Sequence, residues 1–226
     1  MATRKTGFAD DEYYHLVNRG VEKKRIFNDH KDYARFLLLV LFCQSPTALN
    51  NPGYAVKDFL KTGKFHISQD LTNQTIKERY VELISFCLMP NHFHLLVKQT
   101  KEGGISKYMQ RVQNAYTKYF NTKNKTAGHL FQGPFRAVWV EDNDQLLYLS
   151  AYIHKNPVEL TGPQGKEHGY QWSSLTDYLN KNRWPTSLLK PEIILEQFNN
   201  KQEYQDWIKQ SYAKSLQDIG CPVVKI

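Results

Sequence analysis

The sequence predicts an α+β fold built around an antiparallel sheet, and three observations carry that prediction. Strand-like and helix-like segments follow one another as strand, helix, strand, strand, helix, strand, helix between Tyr13 and Asn156. Two apolar runs, Val81 to Met89 and His92 to Gln99, are joined only by Pro90-Asn91, the mark of a tight antiparallel hairpin. Hydrophobic residues make up 41% of 226 residues, with 12 Phe, 4 Trp and 14 Tyr, enough for one large domain or a domain plus an appendage.

Each element has a local reason. Tyr13 to Asn18 is rich in strand formers and closes at the turn Arg19-Gly20. Asp29 to Cys43 reads as a helix, capped by Asn28 or Asp29, with Tyr33, Phe36, Leu37, Val40 and Leu41 at helical spacing, and Ser45-Pro46 stops it. Residues 44–80 read as an insertion with a polar, Pro- and Gly-rich start, short helices at Tyr54 to Leu60 and Gln74 to Tyr80, and several lysines. A surface appendage or a DNA-contacting lobe both fit it, and shortening it is expected to alter which DNA is bound but not folding. After the hairpin, Gly103-Gly104 breaks the chain, and Ser106 is expected to cap a helix to about Asn121. That helix interleaves aromatics with Lys107, Arg111, Lys118 and Lys123, which suits nucleic acid and equally a solvated basic face. Ala137 to Val140 reads as a strand, and a helix starts at Asn143 or Asp144 and runs to Asn156, where Pro157 ends it. Short helices are expected at Trp172 to Tyr178, Glu192 to Phe198 and Lys201 to Leu216. The chain thus divides into a domain over 1–158 and an extension over 159–226.

Composition narrows the partner. Thirty Lys and Arg against 22 Asp and Glu give +8, with a pI of about 9.2, a balance that suits a polyanion such as nucleic acid and also simple solubility. Cys43, Cys87 and Cys221 form no CxxC pair and no disulfide framework, so a reducing cytosol fits. Met1 to Gly7 has no apolar signal core, and the run from Phe36 to Cys43 is too short to span a bilayer, so a cytoplasmic location is expected.

The chemistry concentrates in His92-Phe93-His94. On a strand, residues two apart leave the same face, so both imidazoles stand together while Phe93, Leu95 and Val97 turn to a core. Neutral imidazoles can bind a divalent cation; two structural histidines would show the same pattern. Downstream, Tyr148, Tyr152 and Asn156 share one helix face at four-residue spacing. If that helix packs beside the histidines, Asn156 brings an oxygen to a metal such as Mg²⁺ or Mn²⁺, and Tyr152 brings a phenol to a bound substrate. Open positions on the metal would let it act as a Lewis acid. Lys155 and Arg136 could set positive charge near a phosphate. Ordinary half-buried tyrosines and a helix-ending Asn fit the same spacing.

Four blocks together resemble a known family. They are Tyr14-His15-Leu16-Val17-Asn18-Arg19-Gly20, Met89-Pro90-Asn91-His92-Phe93-His94-Leu95-Leu96, His129-Leu130-Phe131-Gln132-Gly133 and Tyr152-Ile153-His154-Lys155-Asn156-Pro157-Val158. In content and order they look like the REP-associated tyrosine transposases, single-tyrosine HUH (His-hydrophobic-His) transposases of small bacterial insertion sequences. The resemblance implies a ferredoxin-like sandwich with the histidines on a central strand and helices on one side. It implies His92, His94 and Asn156 as metal ligands for Mg²⁺ or Mn²⁺, and Tyr152 as nucleophile. Tyr116 and Tyr119 could compete for that role, but of the three only Tyr152 has an Asn four residues on and a proline stop after it. It implies cleavage and rejoining of single-stranded or hairpin DNA, repetitive palindromic elements among them, in a bacterial cytoplasm, by a monomer or homodimer. Arg136, Arg111, Lys107, Lys155 and Arg19 are the DNA-contacting candidates. Two departures stand out: residues 44–80 are long for their connection, and Pro134 stands where a basic residue is expected after Phe131-Gln132-Gly133. Two other functions use the same residues: a hairpin-binding protein that no longer cuts, and a metal-dependent nuclease using activated water.

Overall fold

The hairpin at Pro90-Asn91 is present: β2 (Val81–Met89) pairs antiparallel with β3 (His92–Gln99), with Met89 opposite His92. The computed structural model describes residues 7–161, 169–185 and 187–211. β3 also pairs with β1 (Tyr13–Arg19), which pairs in turn with β4 (Arg136–Trp139), giving the order β2-β3-β1-β4 with every neighbour antiparallel. α1 (His30–Phe42) lies between β1 and β2 in the chain, and α4 (Gly104–Asn124) between β3 and β4. This is the α+β, ferredoxin-like arrangement that the resemblance implied, with the histidine strand in the interior of the sheet.

Strand alternation divides the sheet into two apolar faces. Phe93, Leu95 and Val97 join Tyr14, Leu16, Phe86 and Leu88 in a core shared with α1 and α4. Ile84, Cys87, Met89 and Leu96 face the other way. A register shift between Leu83 and Ser85 adds a residue to β2, so that Leu83 and Phe86 both reach the first core. The second face is covered by α5 (Asn143–Lys155), with α7 (Leu175–Leu179), α8 (Glu192–Leu195) and α9 (Lys201–Gln210) behind it, so helices stand on this side too. α6 (Val158–Thr161) follows α5 directly.

Three expectations change. Ser106 does not cap α4: the N-cap is Gly103 in the left-handed region (φ 67°), and the helix starts at Gly104. A Cβ on Gly104 would stand 2.5 Å from the Tyr80 carbonyl oxygen, so the glycine pair opens the helix against that backbone instead of breaking the chain. Residues 44–80 are not a detachable loop. They contain α2 (Pro52–Thr62) and α3 (Gln69–Glu78), and Ala55, Val56, Phe59 and Phe65 are buried in the first core. Described residues of the 159–226 extension bond to the sheet: Leu88 N–H donates to Trp172 O (2.9 Å), Ser174 N–H to Phe86 O (3.0 Å) and Lys190 N–H to Leu83 O (2.8 Å). These bonds cover the edge of β2 that would otherwise expose unpaired backbone. Part of the expected helix to Leu216, and Cys221, lie outside the described residues. Among the described residues no helix is long and apolar enough to cross a membrane.

Candidate active site

Three stretches far apart in sequence meet at one end of the sheet. Gly20 N–H donates to Asn91 O (2.8 Å), Val21 N–H to Leu130 O (3.0 Å) and Gln132 N–H to Arg19 O (2.8 Å). Asn18 Nδ2 donates to Gly133 O (3.1 Å), and Arg19 Nε to Gln132 Oε1. Gly20 has a steric reason: a Cβ there would stand 2.2 Å from Lys24 O. Phe131 anchors its segment in the first core, 6.0 Å from the Phe93 ring. Side chains opposite one another on antiparallel strands share a face. The pairings Arg19↔His92, Val17↔His94 and Val17↔Arg136 therefore set Arg19 beside His92 and the exposed Arg136 two strands from His94, all on the histidine face.

The histidines are held from behind. Their ring centroids are 5.0 Å apart. His92 Nδ1 lies 2.7 Å from Asn91 Oδ1, and His94 Nδ1 lies 2.9 Å from His15 Nε2. His94 Nε2 is buried and has no hydrogen-bond partner. Burial drives the His94 pKa well below the usual imidazole range, helped by repulsion from His15 and His92, and burial alone takes His15 to about 3. Neither ring carries charge at neutral pH, and the neutral imidazole is the form that ligates metal.

α5 lays its tyrosine against this pair. Asp142 caps the helix by accepting from Gln145 N–H at 2.8 Å. The Tyr152 ring meets His94 edge-on at 5.5 Å and His15 at 6.1 Å between centroids. Asn156 Nδ2 donates to Tyr152 O (2.8 Å), so its oxygen is the atom left for ligation. A cation fits this donor set. His94 Nε2 is buried without a hydrogen-bond partner, and neutral imidazoles with an amide oxygen are donors that would suit a divalent ion. Among the described residues no group of three or more His, Cys, Asp or Glu could hold an ion, so the amide would have to complete the set.

The rival tyrosines lie elsewhere. Tyr116 and Tyr119 sit on α4, across the sheet; their hydroxyls donate to Ile26 O (2.5 Å) and Asp32 Oδ1 (2.9 Å), and burial pushes both pKa values up. Tyr148 packs on Trp207 at 5.6 Å. Arg111 and Lys107 are also on α4; Arg111 donates to Thr47 O (2.8 Å), and exposed Lys107 lies 6.0 Å from the Tyr80 ring. They are not brought together with Tyr152. Lys155 is 6% exposed, and its ammonium donates to Lys209 O (3.4 Å) and to Ser211 O, capping the carbonyl end of α9.

Sequence reading missed the polar network behind α5. His154 Nδ1 lies 2.8 Å from Tyr204 Oη and its Nε2 2.8 Å from Ser174 Oγ, while Ser150 Oγ lies 2.5 Å from Tyr204 Oη. His154 stands two residues from Tyr152, but its partners come from α9 and the start of α7, which no local pattern reveals. Burial holds the His154 pKa at about 3. The unfolded chain, with histidine near 6.5, therefore binds more protons than the folded chain between about pH 6.5 and 3. This stability is present above pH 6.5 and is lost as pH falls, at about 1.4 kcal/mol per pH unit for each such histidine. Urea midpoints taken from pH 7 to pH 5 should fall, and His154→Gln should lessen the slope by one proton; an unchanged slope would show that His154 is not held neutral.

The family described as transposase IS200 like matches residues 57–156, a span that contains His92, His94, Tyr152 and Asn156. No curated protein matches the chain. Among solved structures the chain is similar to one described as a REP associates tyrosine transposase bound to a REP hairpin, at 12% identity, with 83% of this chain and 90% of that chain covered and a TM-score of 0.52. That likeness shows a common fold. A second structure, from Deinococcus radiodurans, aligns at 16% identity over 64% of this chain and 91% of its own, but with a TM-score of 0.29 it adds nothing to the fold assignment.

Proposed function

We propose that this chain, related over residues 57–156 to the IS200-like transposases and so a protein of DNA cleavage and strand transfer, works through Tyr152 on single-stranded or hairpin DNA. The observation that carries the reading is the Tyr152 ring set 5.5 Å from His94, whose Nε2 is orphaned, at a site flanked by Arg19 and Arg136. His92, His94 and Asn156 would hold a Mg²⁺ or Mn²⁺ ion, which when bound supplies neutralisation of charge on the scissile phosphate. Arg136, exposed on the same face, holds the strand. Tyr152 Oη attacks phosphorus; the bond to the 3′ oxygen breaks, leaving a 5′-phosphotyrosine and a free 3′-hydroxyl. The Tyr152 phenol gives up its proton as it attacks. A later attack by a 3′-hydroxyl on the phosphotyrosine rejoins DNA with no outside energy, because the covalent bond conserves it.

The test is incubation with labelled hairpin DNA and Mn²⁺ on a denaturing gel. A covalent protein–DNA band is expected. Cleavage without a band would favour the activated-water nuclease, and binding alone the hairpin-binding protein. Affinity for the hairpin should fall steeply with salt through counterion release, as the +8 net charge suggests. Arg136→Ala should weaken binding and reduce the logarithmic salt slope by about one. Salt-independent affinity would remove DNA as the partner.

A further inference from the structure

The unpartnered atoms in the histidine cluster are not scattered: they are the two ends of one hydrogen-bonded pair. His94 Nδ1 and His15 Nε2 are 2.9 Å apart, and the two free ends, His94 Nε2 and His15 Nδ1, are both buried without a partner. The rings lie nearly parallel, 17° between planes and 5.1 Å between centroids. Both residues are at most 1% exposed, so the pair stays neutral and carries two ring protons for four nitrogens. Only two arrangements keep the hydrogen bond. In one, His94 donates from Nδ1, His15 keeps its proton on Nδ1, and His94 Nε2 offers a lone pair. In the other, His15 donates from Nε2 and His94 Nε2 carries the proton. Each leaves one buried N–H and one buried lone pair unsatisfied, so nothing within the pair chooses between them. A cation at His94 Nε2 chooses the first.

We propose that His15 is a positioning residue for the site: by accepting from His94 Nδ1 it fixes that imidazole in the tautomer whose Nε2 can ligate a divalent cation. This rests on the metal reading above. His15 Nε2 is occupied by His94 and its Nδ1 is buried, so His15 acts through His94 alone. The pair spans β1 and β3 diagonally, with His15 opposite Leu96 and His94 opposite Val17, so register holds the contact. An outer hydrogen bond of this kind commonly changes metal affinity 10- to 100-fold, on the order of the effect expected here.

The experiment reads the tautomers directly. Long-range ¹H–¹⁵N imidazole spectra of the wild-type protein should show the His15 Nδ1 signal moving to the protonated position when Mg²⁺ is added. His15→Phe, which keeps a ring and removes the acceptor, should bind Mn²⁺ about 10- to 100-fold more weakly by calorimetry, and His15→Gln, whose amide oxygen can accept, should recover much of the loss. A His15 spectrum unmoved by Mg²⁺, or wild-type Mn²⁺ affinity in His15→Phe, overturns the proposal while leaving the metal site standing. Wild-type protein that binds no Mn²⁺ overturns the metal reading and this proposal with it.

Discussion

Tyr152→Phe should bind hairpin DNA and Mn²⁺ as the wild type does and form no covalent adduct. The substitution removes one oxygen from a partly buried ring whose packing on His94 and His15 is edge-on, so the contact surface survives. The expected loss is the whole of the covalent reaction, because Tyr152 is the phenol packed on His94 and His15. Tyr148 is one turn earlier but packs on Trp207, which makes Tyr148→Phe the matched control and one that should retain activity. His94→Ala should also abolish cleavage, but by a separable route: it should lose Mn²⁺ binding, whereas Tyr152→Phe should not. Peptide mapping of the wild-type adduct decides the matter. Phosphotyrosine at Tyr116, Tyr119 or Tyr148 would refute the assignment while keeping the enzyme class. An active Tyr152→Phe protein without any adduct would replace the class with a nuclease.

How much of this was legible in the sequence depended on how local the cause was. The hairpin carries its own turn and alternation, so both strands read to the residue. Tyr152 and Asn156 share a helix face, and that spacing is visible without a structure. His15 was not: strand alternation gives its face, but its contact with His94 depends on the β1–β3 register, which tertiary pairing fixes. Lys155 misled for a related reason. Its neighbours in sequence suggested a phosphate, whereas its ammonium is drawn to the end of α9, more than fifty residues on. The C-terminal extension gave weak local signals because its helices are short and its order comes from β2: Trp172 O accepts from Leu88, and Tyr178 Oη donates to Ile84 O at 2.9 Å. Its tie to the site runs through α5, whose Ser150 and His154 meet Tyr204 on the side away from Tyr152.

The insertion is where sequence and structure part most widely, and it gives the other large effect. A clean deletion of residues 44–80 should yield unfolded or insoluble protein, contrary to what a polar, Pro- and Gly-rich start suggests. Phe59 stacks on Phe65 at 4.3 Å and lies 6.0 Å from Trp184 and 6.2 Å from Trp172. Removing α2 would strip cover from both tryptophans, which are 4–5% exposed, and Trp172 belongs to the segment that closes the β2 edge. Gln44 would be lost as well; its Nε2 donates to Leu188 O (2.7 Å) and its Oε1 accepts from Leu83 N–H (3.3 Å), tying α1, β2 and the extension together. Truncating one buried phenylalanine costs about 3–5 kcal/mol, and total stabilities are only about 5–15 kcal/mol, so losing several such side chains at once exceeds what the fold can spare. Phe59→Ala alone should lower the urea midpoint substantially while the folded fraction still binds hairpin DNA. The measurement is circular dichroism with urea titration of both variants. A soluble, cooperatively folding deletion protein would return residues 44–80 to the status of a surface appendage.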